Sequence, residues 1–401
     1  MKVAVIGGGA GGFFAAISCR HHHPNAEVVV FEKTNKLLAK VKVSGGGRCN
    51  VTHACFSISE LSKNYPRGQK FLKKSFSQFS TKDTIDWFEQ RNVRLKTEAD
   101  NRMFPTTDDS QTIIDCLLDE ARRLGIVIRK QCQVTEIRKC SSNFQLRVEG
   151  ELLEYDKLIV GTGGSQKLDA YGWLQDLGHS IVPPVPSLFT FNMPDEPIKS
   201  LMGVVVENGV VNIQGTKFKT QGPILVTHWG MSGPAILKLS AFMARELHTK
   251  SYDFEVRVNW LGEVNEGELR ENISEARVDI RKRKIVNKNP FQLPARLWEF
   301  FLEKVNISPE TVWGELPGKQ LNQLVNVLLN DVYSVRGKTT FKEEFVTCGG
   351  VGLQDIDPHT MQSRNCSGLY FTGEVMDIDG VTGGFNFQAA WTTGFIAGKI
   401  G

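Results

Sequence analysis

No stretch of the chain approaches the ~20 consecutive apolar residues that a membrane-spanning helix needs, so a helical membrane protein is excluded. None of the 8 cysteines, at positions 19, 49, 55, 116, 132, 140, 348 and 366, forms a Cys-x-x-Cys pair. Neither a metal site of paired-cysteine spacing nor a dithiol relay is therefore expected, and no metal is. A strong charge of one sign is missing as well: 48 Lys and Arg against 44 Asp and Glu leave a net charge of +4. A nucleic-acid reader concentrates basic residues on one face. Here only Arg281-Lys282-Arg283-Lys284 makes a run, which reads as a solvated helix face, so nucleic acid is not an expected partner. No internal repeat is visible. With a strand-like segment expected from Lys2, no signal peptide is expected, and reduced thiols and a cytoplasmic location are expected with it.

What is present is apolar surface and glycine. With 41% hydrophobic residues the chain can offset its ordering entropy, which excludes a disordered protein. Its 401 residues imply two or three domains at ~100–200 residues each. The 38 glycines cluster in loops rather than repeat, which excludes a fibre.

Val3-Ala4-Val5-Ile6 is a continuous apolar run, as a strand buried on both faces requires. Gly7 to Gly12 follow, then a buried helix from Phe13, ending near His21-His22-His23, where polar residues suit a helix C-terminus. A second strand, Val28 to Phe31, ends in Glu32. This is a β–α–β unit. Residues 33–70 read mostly as loop. Ser80 and Asp83 make a capping box, and a helix is expected from Ser110 to Leu124 with Gly125 at its end. Short strands follow up to Lys157–Val160, which runs into Gly161-Thr162-Gly163-Gly164. Pro183-Pro184-Val185-Pro186 marks a boundary. Beyond it, Asn208-Gly209 predicts a hairpin between two valine-rich strands. Residues 262–331 read as helical, and glycine-rich texture returns from about residue 335. The expected organisation is an α/β first domain, residues 1–190 and 335–401, interrupted by a β-rich insertion over 191–261 and a helical insertion over 262–334.

Gly7-x-Gly9-x-x-Gly12 has the context a dinucleotide fingerprint needs: it follows a buried strand, opens a helix, and leads to Glu32 20 residues after Gly12. The first glycine permits a tight turn, the second a close backbone approach to a pyrophosphate, and the third close helix–strand packing. The helix N-terminus then holds the phosphates, and Glu32 accepts from ribose hydroxyls. Three distant glycine-rich segments, 44–50, 161–164 and 373–388, read as further walls of one long site. A ligand threading several loops suits FAD better than NAD. There is no complete second fingerprint, so a nicotinamide is expected only as a transient reductant, with oxygen as the alternative.

The chain resembles the BaiN-like family of FAD-dependent flavoproteins, NAD(P)/FAD-dependent oxidoreductases that include aminoacetone-oxidase-like members. The resemblance covers nearly the full length. It is carried by Val3–Gly12 with Glu32-Lys33, Ser44-Gly45-Gly46-Gly47-Arg48-Cys49-Asn50-Val51-Thr52, Thr227–Ala235, Thr347-Cys348-Gly349-Gly350-Val351, and Leu369–Ala390. It implies a glutathione-reductase-like FAD domain interrupted by a β-barrel-like and a helical insertion. Gly7, Gly9, Ala10, Gly11, Gly12, Glu32 and Lys33 would form the dinucleotide end, with Val134 at the adenine and Thr162-Gly163 near the adenosine half. Gly47, Arg48, Cys49 and Asn50 would lie along the cofactor. Gly373-Glu374 would meet the ribityl chain, and Gly384, Phe385 and Asn386 would place backbone N–H groups at the pyrimidine end of the flavin.

His228 is the candidate catalytic residue. It ends an expected strand just before Ser232-Gly233-Pro234 opens a helix, where an imidazole can hold an anion or supply a proton. Cys49 lacks a partner cysteine and reads as packing or cofactor contact. The expected activity is FAD-dependent oxidation or reduction of a small organic molecule. An FAD-binding redox sensor or partner-binding flavoprotein and an RNA-modifying flavoenzyme remain as alternatives.

Overall fold

The protein is described by a computed structural model over residues 1–340 and 346–400. It divides into two compact units, Met1–Ser187 with the described part of Phe341–Gly401, and Leu188–Thr340.

The first unit is built on a five-stranded parallel sheet. Its order is Leu369–Phe371, Lys157–Val160, Lys2–Ile6, Glu27–Glu32 and Val127–Lys130. The fingerprint strand Lys2–Ile6 is central, and its Val3, Ala4 and Val5 have no exposed surface, which is why the run is apolar throughout. Helix Ala10–His22 packs against the C-terminal helix Phe385–Gly398 backbone to backbone. A Cβ at Gly394 would stand 2.7 Å from Gly11 O, and one at Gly398 2.4 Å from Ala15 O. Only glycines allow that approach, and it ties the fingerprint helix to the far end of the chain. Phe14 anchors the same contact among Phe79, Trp87 and Trp391.

Helix Thr81–Glu89 starts with the Ser80–Asp83 capping box, and helix Ser110–Arg123 with Asp109, whose carboxylate accepts from Gln111 N–H. The buried Glu120 carboxylate binds Arg91, Arg123 and His21 at 2.7–2.8 Å. These contacts hold its pKa down to about 2, the Arg123 hydrogen bond contributing most.

Two expectations change in this unit. Residues 33–70 include a helix, Ala39–Gly47, although its last turn leaves helical geometry at Ser44, Gly45 and Gly46. The prolines at 183, 184 and 186 lie inside a strand, Ile181–Ser187, paired antiparallel with Val346–Val351. A register shift between Val182 and Val185 accommodates them, since proline offers no N–H to a ladder.

The second unit holds a seven-stranded antiparallel sheet with helices Glu266–Ile280, Ala295–Lys304 and Gly318–Asn330. Strand Asp331–Arg336 pairs with Asp253–Asn259. Beyond Gly337, Lys338–Thr339 pairs with Thr190–Asn192 at the other end of the sheet order. Residues of 191–261 such as Val211 and Val256 share one core with Leu297, Trp298, Leu324 and Leu328 from 262–334. The hairpin expected at Asn208-Gly209 is absent. Strand Val205–Ile213 runs straight through it, paired on both sides, with a register shift between Val206 and Gly209. A Cβ at Gly209 would meet Ile224 at 2.2 Å, so the glycine serves a bulge and a close contact instead of a turn. The run Arg281–Lys284 is exposed, but it forms the turn after helix Glu266–Ile280 and not a helix face.

Candidate functional site

The fingerprint loop is shaped by contacts that tolerate no side chain. A Cβ at Gly12 would lie 2.0 Å from Gly7 O, and one at Gly7 2.2 Å from Gly161 O. The turn after Lys2–Ile6 is thus pressed against the loop that leaves Lys157–Val160. Gly11 similarly faces Thr372, at the end of Leu369–Phe371. Loops from three adjacent parallel strands therefore meet at the C-terminal edge of the sheet, where open α/β sheets bind ligands. Gly9, the residue capping helix Ala10–His22, faces open space, as do Gly46, Gly47 and Gly163. Ala10 opens that helix behind a first turn without acidic residues.

Glu32 is engaged before any ligand arrives. One carboxylate oxygen accepts from Gly8 N–H (2.9 Å), the other from the Thr34 N–H and hydroxyl (both 2.8 Å). The side chain both presents charge at the end of its strand and fixes the fingerprint loop. Lys33 is exposed beside it.

A second assembly joins the Ser44–Thr52 segment to the start of helix Phe385–Gly398. The Asn50 amide satisfies its neighbours with its oxygen toward Gly384 N–H (3.0 Å) and its nitrogen toward Thr52 O (2.9 Å). A Cβ at Gly384 would stand 2.6 Å from the Thr52 carbonyl. Asn386 clamps Gly380 through both its N–H and C=O (2.8 and 2.9 Å). The Phe385 carbonyl accepts from the buried Tyr65 hydroxyl at 2.7 Å. Among the described residues the Gly384 N–H is thus bonded to Asn50, and the helix N-terminus stays aimed by Asn386 and Tyr65. His53 joins this assembly: its Nδ1 lies 3.0 Å from Gly383 O and its ring stacks on Phe385 at 4.6 Å. Its place next to the Ser44–Thr52 motif is the one sequence signal it carries.

The third assembly surrounds Glu374, which follows Gly373. Its carboxylate accepts from Lys40 Nζ and from Thr347 N–H, both at 2.7 Å. The Gly373 N–H donates to Thr393 Oγ1 at 3.0 Å. Lys40 carries no motif, and sequence reasoning missed it. Nearby, Arg67 forms a bidentate pair with the fully buried Asp379, which also accepts from Ser187 Oγ at 2.7 Å. Burial pushes the Asp379 carboxyl up, and Arg67 opposes the shift.

Other expected residues lie apart from these contacts. The Arg48 guanidinium sits 4.0 Å over the Phe104 ring and bonds Glu98 at 2.6 Å. Cys49 is buried, and burial pushes its thiol up to about 12, so it is no thiolate nucleophile at neutral pH. Val134 opens strand Val134–Lys139 of a separate three-stranded sheet, while Thr162 is exposed in the loop after Lys157–Val160. His228 belongs to the second unit. It occupies the tip of a two-residue turn closed by Thr227 and Gly230, exposed and packed against Trp229 at 4.5 Å.

The open glycine cradle, the helix N-terminus behind Gly9 and the acidic residue beside it fit FAD. Among the described residues no cluster of His, Cys, Asp or Glu could hold a metal, and no helix is long and apolar enough to cross a membrane. The family model described as HI0933-like protein Rossmann domain matches residues 1–400. The chain is 26% identical over 409 residues to a 3-dehydro-bile acid delta(4,6)-reductase of Clostridium scindens, covering 99% of this chain and 98% of that one. It is 29% identical over 398 residues to a ribosomal RNA dihydrouridine synthase of Escherichia coli, covering 97% and 95%. Among solved structures, a 3-ketosteroid delta1-dehydrogenase of Sterolibacterium denitrificans shares the fold at a TM-score of 0.52 and 12% identity, over 99% of this chain and 98% of that one.

Proposed function

The chain belongs to the HI0933-like Rossmann family, and on that premise we propose that it reduces a carbon–carbon double bond conjugated with a carbonyl group. It is an FAD-dependent oxidoreductase acting through flavin redox chemistry on an organic substrate. The finer reading is carried by one observation. Two full-length relatives with unlike substrates, a 3-dehydro-bile acid and a ribosomal RNA uridine, are named for the same chemistry. Each activity saturates a double bond polarised by a carbonyl, on a steroid in one case and on a uracil ring in the other.

FAD, when bound, supplies the hydride. The chain's residues bind, orient and exclude water. The N–H groups behind Gly9 would hold the pyrophosphate, and Glu32, which fixes the loop through Gly8 N–H, would take the adenosine ribose. Lys40, Glu374 and Thr347 would form the polar wall of the flavin half, and the start of helix Phe385–Gly398 would turn its N–H end toward the flavin ring. His228 is proposed as the proton donor to the substrate carbon next to the carbonyl. NADH or NADPH is proposed as the transient reductant. The first unit is read as one FAD domain and the second as its insertion. A barrel-like closure of that insertion is supported by the near-continuous strand 331–339 pairing at both ends of the sheet order.

A specific observation favours an RNA substrate as the second reading. Arg281, Lys282, Arg283, Lys284 and Lys288 are all exposed around one turn of the second unit. Stopped-flow mixing tests both readings. Protein reconstituted with FAD and reduced anaerobically with NADH or NADPH is mixed with a 4-en-3-one steroid, or with unmodified ribosomal RNA. Reoxidation of the flavin with a saturated product identifies the substrate class. Reoxidation by oxygen alone overturns the proposal.

A further inference from the structure

Thr347 lies in strand Val346–Val351 with no exposed surface, and its hydroxyl has no hydrogen-bond partner among the described residues. Burying an unpaired hydroxyl is costly, and valine has nearly the same shape without that cost. Among the described residues, the polar groups beside it are already engaged. The backbone N–H of Thr347 already donates to one Glu374 oxygen, and Lys40 takes the other. The Thr347 side chain packs against Gly164: a Cβ there would stand 2.4 Å from Thr347 Oγ1 and 2.7 Å from Glu374 Oε1. Gly164 belongs to the loop after Lys157–Val160 and Glu374 to the loop after Leu369–Phe371. The orphan hydroxyl therefore sits at the ligand-binding edge of the parallel sheet.

Sheet order says which half of a dinucleotide would meet it. Glu32 ends the strand on one side of the fingerprint strand. Thr347 lies among the loops that follow the two strands on the other side. With the pyrophosphate over the central loop and the adenosine ribose at Glu32, the remaining half of FAD runs toward Thr347. We infer that the Thr347 hydroxyl is a binding contact for the ribityl–isoalloxazine half of FAD, completing a polar wall with Glu374 and Lys40. The inference rests on the reading that the first unit binds FAD.

ADP serves as the control probe, because it carries the adenosine and pyrophosphate without the flavin. Wild-type, Thr347→Val and Thr347→Ser apoproteins are titrated with FAD and with ADP, and their melting temperatures are measured without ligand. Thr347→Val should weaken FAD about 10-fold and leave ADP within about twofold of wild type, as one lost hydrogen bond predicts. The Thr347→Val apoprotein should melt no lower than wild type, and Thr347→Ser should recover most of the FAD affinity. Unchanged FAD affinity in Thr347→Val overturns the inference. So does a joint fall of FAD affinity, ADP affinity and melting temperature, which marks a packing role. A wild-type protein that binds no FAD removes the underlying reading itself.

Discussion

The two glycines Gly9 and Gly12 should fail in opposite ways when replaced by alanine. Gly9 has ordinary extended geometry, φ −91° and ψ −174°, and open space where a Cβ would stand. The fold has no objection to a methyl group there. Loss of unfolded-state freedom contributes about 0.4–1 kcal/mol in favour. Alanine's weakness as a helix cap costs roughly as much, about 0.5–1 kcal/mol. Apo stability should therefore barely move. The methyl group does fill the space a pyrophosphate needs beside the helix N-terminus. Losing one charge-assisted bond of about 1.5–3 kcal/mol weakens FAD about 10- to 100-fold. Gly12→Ala instead drives a Cβ to 2.0 Å from Gly7 O, against backbone that cannot move without parting helix from strand. Overpacking of that kind costs about 1–3 kcal/mol before any ligand is added. Thermal melts of the apoproteins and titration with FAD, followed by flavin fluorescence, separate the two patterns. Gly9→Ala protein that binds FAD with wild-type affinity would refute the placement of the pyrophosphate. A Gly12→Ala apoprotein as stable as wild type would refute the close-packing account.

Glu32→Ala removes the acceptor of Gly8 N–H and of both Thr34 donors as well as the ribose partner, and should weaken FAD about 10- to 100-fold in an equilibrium titration. Wild-type affinity would take Glu32 out of the site. The Glu120 carboxyl, held at about 2 against an ordinary 4.5, gives stability that is complete above the unfolded value and lost as pH falls toward 2. Its worth at neutral pH is about 2–3 kcal/mol once screening of the exposed Arg123 is allowed for. Denaturant melts of Glu120→Gln should therefore show lower stability at neutral pH and a flatter acid limb between about pH 5 and 2. Parallel acid limbs for the two proteins would deny Glu120 that role. His228→Ala should keep FAD affinity while slowing turnover about 10²- to 10⁴-fold, the range for a lost general acid. Unchanged turnover per bound flavin would make it a surface residue of its hairpin.

Legibility in the sequence followed the range of the forces involved. The parallel strands were readable because burial on both faces leaves an uninterrupted apolar run, as in Val3 to Ile6. The Ser80–Asp83 capping box and the fingerprint were readable because a helix start is decided within about four residues. Asn208-Gly209 misled for the complementary reason. The dipeptide permits a tight turn or a bulge equally. Strands 219–226 and 253–259, pairing on its two flanks, select the bulge. The prolines at 183–186 behave alike: a local breaker becomes a strand where Val346–Val351 lies alongside and the ladder shifts register.

The candidate site shows the same division more sharply. Asn50 and Gly384 touch across most of the chain, yet each stood out, because each belongs to a glycine-rich segment whose backbone geometry is unusual on its own account. Lys40 and His53 sit in the same assemblies without any local peculiarity of their own, and Thr347, although it opens the Thr347–Val351 segment that carries the resemblance, shows no role of its own in the sequence. A threonine in a strand is ordinary until burial and the absence of a partner are both known. What makes Thr347 informative is an unmet requirement, and unmet requirements exist only in three dimensions. Glycine cradles can therefore be read from sequence as places where a ligand comes close. The polar groups that select the ligand emerge only when the protein's own hydrogen bonds have been assigned and a group beside the site, here Thr347 Oγ1, is left over.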